Sequence, residues 1–341
     1  MTQRQRSTAQ IRILQRAPDG TMQPRTEDGT PLLTLLAERG MLLWIDILDP
    51  SEGEDQVVSR LLREELRFHP LAVDDALDET HLPKVDDWGE YIYLVLHTVS
   101  FNPDLSHLHT RELDAFVGRN YLVTYHTEPI AVLERLWQSV QRDDRRSRRG
   151  ADYLLYQLCD AIASDYMPCI DEIDAALDAI QSDVFTRFDT SLAERIFRLK
   201  SAVLALRRVL GPQREVLAKL ARGDFTVIDF KERVYFRDVY DHFVRLTDLN
   251  ETLRDLVSGT MDTYLSVVAN HTNNVVKALT IVSLLFMPLT FITGFFGMNF
   301  FGASIELTFE AERWILFAAA VMVMFAFPIA MLLYIRHRGW W

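Results

Sequence analysis

From Ala278 to Phe296 the chain reads Ala-Leu-Thr-Ile-Val-Ser-Leu-Leu-Phe-Met-Pro-Leu-Thr-Phe-Ile-Thr-Gly-Phe-Phe, nineteen residues without a charge. At about 1.5 Å per residue a helix over this stretch extends roughly 28 Å, which matches the ~30 Å hydrocarbon core of a bilayer. A second uncharged run of twenty-two residues, Trp314–Ile335, reaches about 33 Å on the same rise. Both are long enough to span. Each holds one proline, Pro288 and Pro328, which bilayer helices tolerate when neighbouring groups satisfy the freed carbonyl.

The flanks orient these spans. Lys277 precedes the first, and Arg336, His337 and Arg338 follow the second, while the intervening loop holds Glu306, Glu310 and Glu312 against Arg313. Counting Lys and Arg near the span ends predicts that both termini are cytoplasmic and the loop faces outward. Trp314, Trp340 and Trp341 sit where an interfacial aromatic belt is expected.

The rest of the chain differs in kind. The 341 residues are 49% hydrophobic and 25% charged with a net charge of −12, and since residues 271–341 carry +1, residues 1–270 carry −13. An acidic soluble portion argues against a nucleic-acid partner, which needs clustered Lys and Arg, and points to cations. Cys159 and Cys169 are too few for a disulfide framework and lack zinc-site spacing, so both read as reduced core residues. Met1–Arg16, rich in Arg and Ser/Thr, reads as a frayed terminus leading into a strand near Ile11–Leu14, with a transit peptide as the other reading.

Before Gly150, short runs of strand composition (Met41–Leu48, Tyr91–Phe101, Glu112–Val117, Tyr121–His126) alternate with helix candidates such as Ser51–Leu66, where Ser51 and Glu54 form a capping-box pattern. That is an α/β or α+β domain. Beyond it the signals are helical: Asp152–Phe185, then Ser191 to about Leu220 with a kink or break at Gly211–Pro212, and then a third helix opened by a second capping-box pattern at Asp229 and Glu232. From there to Gly294 the only internal glycine is Gly259 and the only proline is Pro288. One helix on the order of 100 Å follows, and a rod of that length needs packing partners along it, met most simply by copies of itself. The predicted organisation is a cytoplasmic α+β domain (1–150), antiparallel cytoplasmic helices (151–228), a stalk helix (229–277), a first transmembrane helix (278–299), an outward loop (300–313), a second transmembrane helix (314–335) and a basic cytoplasmic tail (336–341).

Steps of three and four from Asn273 give Val276, Thr280, Ser283, Met287, Thr290 and Gly294, a stripe of polar, small or flexible residues on a Leu, Ile and Phe surface. Such residues also allow close helix packing in membranes. Three blocks add to the stripe: Tyr235-Phe-Arg-Asp238-Val-Tyr-Asp-His242; Asn274-Val-Val-Lys277-Ala-Leu-Thr280; and Met287-Pro-Leu-Thr290-Phe-Ile-Thr-Gly294-Phe-Phe-Gly297-Met298-Asn299-Phe300. Together they strongly resemble the CorA family of divalent-cation channels and transporters, over about residues 229–300, with only an architectural likeness before them.

The resemblance implies a homopentameric funnel. The first span of each subunit would line a central pore with Asn273, Val276, Thr280, Ser283, Met287, Thr290 and Gly294, ending in a mouth of Gly297, Met298 and Asn299. Independently, two spans per chain cannot enclose a water path, so a pore must be shared. Mg²⁺ demands octahedral geometry and dehydrates reluctantly, so a ring of neutral Asn299 carbonyls suits the hydrated ion. Many relatives follow Gly-Met-Asn with Met-Pro-Glu, whereas this chain continues Phe300-Phe301-Gly302-Ala303-Ser304-Ile305-Glu306, which leaves Glu306 and Glu310 as the outer-loop cation lures. The family's cytoplasmic regulatory site would draw on Asp238, with Asp104 in the Ser100–Leu105 turn and Asp262, three turns before Asn273, as partners. A cation bridging such acids would favour the closed state. The function implied is influx of Mg²⁺, with Co²⁺ and Ni²⁺ as further cargo, in a bacterial inner membrane, with no cofactor beyond transported and regulatory cations.

Three alternatives stand beside this reading. A ZntB-like Zn²⁺ transporter is one, since that branch also lacks the standard loop. A non-conducting membrane-anchored scaffold is another. An enzyme is disfavoured because no phosphate-cradling Gly-x-x-x-x-Gly-Lys, His-Glu-x-x-His or Gly-x-Ser-x-Gly occurs. His97, His107 and His109 form a weak zinc pattern across neighbouring strands.

Overall fold

The computed structural model describes residues 9–17, 20–25, 32, 36, 41–51, 55–77, 82–103, 107–142, 149–185, 190–298 and 310–338. They form two units, Met1–Thr263 and Tyr264–Trp341.

The first unit is built on a seven-stranded sheet: β1 (Gln10–Arg16), β2 (Met22–Pro24), β3 (Leu43–Leu48), β4 (Lys84–Asp87), β5 (Ile92–Asn102), β6 (His107–Val117) and β7 (Tyr121–His126), in spatial order β2-β1-β3-β7-β6-β5-β4. Among the described strands only β3 and β7 pair in parallel. β5 and β6 pair over their full lengths, from Ile92 opposite Val117 to Asn102 opposite His107. Alternate residues supply the two faces. Ile45, Tyr93, Val95, Phe116 and Val123 form one buried face against α1 (Gln56–Arg60), a π-helical turn (Leu61–Glu65) and α2 (Pro70–Leu77). On the other side Trp44 meets Trp137 of α3 (Ala131–Arg142), ring centroids 4.8 Å apart, and α4 (Ala151–Val184) packs on β5.

Two capping boxes expected from sequence do not open these helices. α1 begins at Gln56, where the Asp55 carboxylate accepts the Val57 N–H at 2.8 Å. Ser51 instead turns its hydroxyl to Asp49, 2.5 Å away, and Glu54 lies outside the described residues. Likewise the long helix starts at Arg233, because Glu232 is drawn to Arg149 and the Asp229 N–H donates to Asp152. Nor does Gly211–Pro212 end a helix: α5 (Thr190–Arg222) continues through Pro212. The adjacent Gln213 is held in the core, its Oε1 accepting the His97 N–H at 2.8 Å and its amide donating to the His97 carbonyl at 3.2 Å. α5 stops instead at Gly223, whose φ of +77° closes a left-handed cap in which the Asp224 N–H reaches back to the Lys219 carbonyl.

α6 (Arg233–Gly297) is a single 65-residue helix and α7 (Glu310–His337) has 28. Within the first unit α6 runs parallel to α4, since Tyr156 meets Phe236, Tyr166 meets Phe243 and Gln181 meets Thr260 in the same order along both. Cys159 and Cys169 are buried free thiols on α4, and burial pushes the Cys169 thiol up to about 12.

The zinc pattern does not assemble. His97 pairs with Glu112 and His109 with Ser100, so the two imidazoles occupy opposite faces of the sheet. Among the described residues no cluster of three His, Cys, Asp or Glu side chains is positioned to hold a metal. His97 is instead a buried structural residue whose Nδ1 has no hydrogen-bond partner among the described residues, and burial lowers its pKa to about 4. Because the folded value lies below the ordinary 6.5, the neutral ring's contribution is intact above pH 6.5 and is lost as pH falls toward 4. The expected loss, read by chemical unfolding across that window, is about 3 kcal/mol, and His97→Gln flattens it.

Candidate functional site: a polar stripe on an exposed helix

The block Tyr235-Phe236-Arg237-Asp238 divides by helical face. Phe236 is fully buried, whereas Arg237 and Asp238 are exposed. Asp238 lies near enough to Tyr156 that its charge helps push that phenol, raised chiefly by burial, up to about 12. Beside this block is a joint that sequence reading missed. The Arg149 guanidinium sits 4.2 Å from the Tyr153 ring centre and 4.6 Å from that of Tyr235, and donates to Glu232 at 2.8 Å. Arg149's carbonyl accepts from Arg16, so β1, α4 and α6 meet on one residue. Residues 83 apart in the chain give no local signal of such a pair.

Asp262 is exposed on α6, and Asp104 lies outside the described residues. The structure does not gather Asp238, Asp262 and other acids within one chain, in keeping with the absence of a three-ligand cluster among the described residues.

In the second unit the stripe lies on a largely exposed length of α6, where every residue from Ala269 to Thr280 is exposed and covered positions begin at Ile281. Asn273, Val276, Thr280, Ser283, Met287, Thr290 and Gly294 are all exposed, Val276 to 55% and Met287 to 73%. The half-buried positions are Ile281, Leu284, Leu285, Pro288, Leu289 and Ile292. At about 100° per residue the two sets centre roughly 140° apart around α6. α7 shows the complementary pattern, with Val321, Met324, Pro328, Met331, Leu332 and Ile335 the covered positions and Met322, Phe325 and Leu333 exposed. Among the described residues α6 carries a stretch long and apolar enough to cross a membrane, none of it buried, and α7 contributes a shorter apolar run, Val321–His337.

Hydroxyls on the stripe are partly committed. Thr280 donates to the Val276 carbonyl at 2.8 Å and Thr290 to the Phe286 carbonyl at 2.9 Å, which leaves their oxygen lone pairs as acceptors. A hydrated cation presents only water protons, so acceptors are what it needs. Gly297 ends α6 and Met298 follows in a turn, 64% exposed. Asn299 and Glu306 lie outside the described residues, as does the side chain of Glu310.

Residues 40–337 match the family described as CorA-like Mg²⁺ transporter protein. The chain belongs to that family. Over 299 residues it is 34% identical to the cobalt/magnesium transport protein CorA of Thermotoga maritima, covering 87% of this chain and 83% of that one. Over 338 residues it is 25% identical to the cobalt/magnesium transport protein CorA of Methanocaldococcus jannaschii, covering 97% and 99%. The complete structure of the CorA magnesium transporter from M. jannaschii matches with a TM-score of 0.80 at 23% identity over 97% of this chain and 98% of that chain, a likeness of fold. The sheet-bearing N-terminal unit, long helix and C-terminal apolar helix are thus the CorA arrangement. CorA-family members are ion transporters or channels rather than enzymes, so the chemistry to explain is recognition of a cation without bond breaking.

Proposed function

We propose that five copies of this chain form a funnel in a bacterial inner membrane, with both termini cytoplasmic, and pass hydrated Mg²⁺ and Co²⁺ inward along a shared axis. The carrying observation is the exposed stripe from Asn273 to Gly294, set away from the covered face of its own helix in a CorA-family chain. Facing the axis, Thr280 and Thr290 offer lone pairs to the ion's water shell, and Met287 forms a flexible apolar constriction. Residues 278–299 and 314–335 are the spans, 229–277 the stalk, 151–228 its flanking helices, 1–150 the sensing domain, 300–313 the outer loop and 336–341 the inner tail.

At the outer mouth, with Gly297 and Met298 behind them, five Asn299 carbonyls accept hydrogen bonds from the cation's waters, while Glu306 and Glu310 raise the local cation concentration. At the cytoplasmic end Asp238, with Asp104 and Asp262, binds Mg²⁺ between subunits. The bridged state is the closed one, and mass action closes the pore when internal Mg²⁺ is plentiful. Relatives named for cobalt and magnesium support these cations as substrates over zinc. No cofactor is needed.

Purified protein in liposomes loaded with a Mg²⁺-sensitive dye tests the reading. The expected result is Mg²⁺ uptake that Co²⁺ competes, a severalfold loss in Asn299→Ala, and weaker Mg²⁺ protection from proteolysis in Asp238→Ala. Wild-type liposomes no faster than protein-free ones would leave a membrane-anchored scaffold as the account.

A further inference from the structure

The second unit holds a cavity that the stripe does not use. It measures about 470 Å³ and is lined on α6 by Asn274, Lys277, Ala278, Ile281, Val282 and Leu285 and on α7 by Leu332. Its polarity is one-ended: Asn274 and Lys277 stand together at one end, and every lining residue beyond them is apolar. Lys277 has no hydrogen-bond or ion-pair partner among the described residues, and neither has Arg336, one turn past Leu332. Arg338 lies over the Tyr334 ring, 5.7 Å from its centre. No acid occurs from Tyr264 to Lys277 or from Trp314 to Trp341. This end of the unit therefore carries positive charge with nothing of its own to neutralise it.

Around α6 the cavity-lining residues centre about 160° from the polar stripe. With the stripe on the axis, the cavity opens toward lipid. From Lys277 to Leu285 the helix rises about 12 Å, less than half the ~30 Å hydrocarbon core. The apolar part of the cavity thus has the depth of a single leaflet.

We infer that this cavity seats one anionic phospholipid of the cytoplasmic leaflet. Lys277 and Arg336 hold its phosphate, the Asn274 amide donates a hydrogen bond to it, and one acyl chain lies along Ala278, Ile281, Leu285 and Leu332. The chemistry selects against a zwitterionic lipid, whose own ammonium already neutralises its phosphate and would meet two more cations here. This inference rests on the reading of α6 and α7 as spans with inward basic ends.

The test reconstitutes the full chain in phosphatidylcholine vesicles with and without phosphatidylglycerol, then extracts it in mild detergent and counts retained lipids by native mass spectrometry. Mg²⁺ uptake is measured on the same vesicles. Wild type is expected to retain phosphatidylglycerol over phosphatidylcholine. Lys277→Gln lowers that retention about fivefold, the equivalent of ~1 kcal/mol for one cation near an anionic surface, and Lys277→Arg restores it. Leu332→Trp fills the apolar end, leaves both charges in place and also displaces the lipid. Equal retention of the two lipids by wild type, or undiminished phosphatidylglycerol in Lys277→Gln, overturns the inference. Should Lys277→Gln fail to fold, undiminished retention in Leu332→Trp overturns it equally. A wild type that passes Mg²⁺ without preferring phosphatidylglycerol sinks this inference alone, and one that holds phosphatidylglycerol without passing Mg²⁺ sinks the transport reading alone.

Discussion

Gly294→Phe is expected to reduce Mg²⁺ uptake to the level of protein-free liposomes, while Leu289→Phe is expected to retain most of it. The contrast isolates the assembly. In the single chain a Cβ on Gly294 meets nothing within 4 Å, and phenylalanine has a helix propensity about 0.5 kcal/mol better than glycine, so the substitution has no reason to unfold the protomer. Leu289 sits on the covered side of α6, about 140° from the stripe, where a ring repacks among Leu, Ile and Pro side chains. Only if copies of Gly294 face one another across a shared axis does a phenyl ring close a path for ions. Five rings there would leave an apolar plug in which a hydrated divalent cation loses acceptor contacts and gains none. Uptake by Gly294→Phe equal to wild type would mean that Gly294 neither lines the ion path nor sits in a close helix contact.

The stripe was legible in the sequence as a three- and four-residue spacing; exposure is uniform from Ala269 to Thr280, and only from Ile281 to Gly294 do covered and exposed positions alternate around the helix. The 65-residue helix was legible for a related reason: it has one internal glycine before the apolar stretch and one proline within it, and nothing else along it interrupts the backbone ladder. Helix starts were not. Capping boxes are local patterns, and at both Ser51 and Asp229 a nearby group outcompeted the reciprocal bond: Asp49 took the Ser51 hydroxyl, and Arg149 took the Glu232 carboxylate. Of the kink or break read at Gly211–Pro212, the break does not occur, and the tie just beyond it, from Gln213 to the His97 backbone 116 residues away, has no local signal. The Arg149 joint and the Lys277 cavity escaped for the same reason, since each is made by elements that meet only in the fold.

Phe236→Ala is expected to destabilise the first unit by about 3–5 kcal/mol, the range for removing a buried aromatic and leaving a cavity. Phe236 is 0% exposed, stands edge-on to Tyr156 with ring centroids 6.3 Å apart, and belongs to the face of α6 that continues through the buried Val239 and Phe243. Arg237→Ala, one residue along on the exposed face, costs within about 0.5 kcal/mol, as surface changes do. Chemical unfolding of both variants measures the difference. It also decides what the Tyr-Phe-Arg-Asp block is for. The resemblance attaches the block to cation sensing, yet its first half, Tyr235 against Tyr156 and Phe236 in the core, has the geometry of an anchor, and only Asp238 is exposed to meet an ion. If the block is both, Phe236→Ala lowers stability and frees α6 from α4, so that Mg²⁺ bound at Asp238 no longer acts on a fixed helix. Equal stabilities for Phe236→Ala and Arg237→Ala would show that α6 is held elsewhere, and would leave the aromatic half of the block with no mechanical part in sensing.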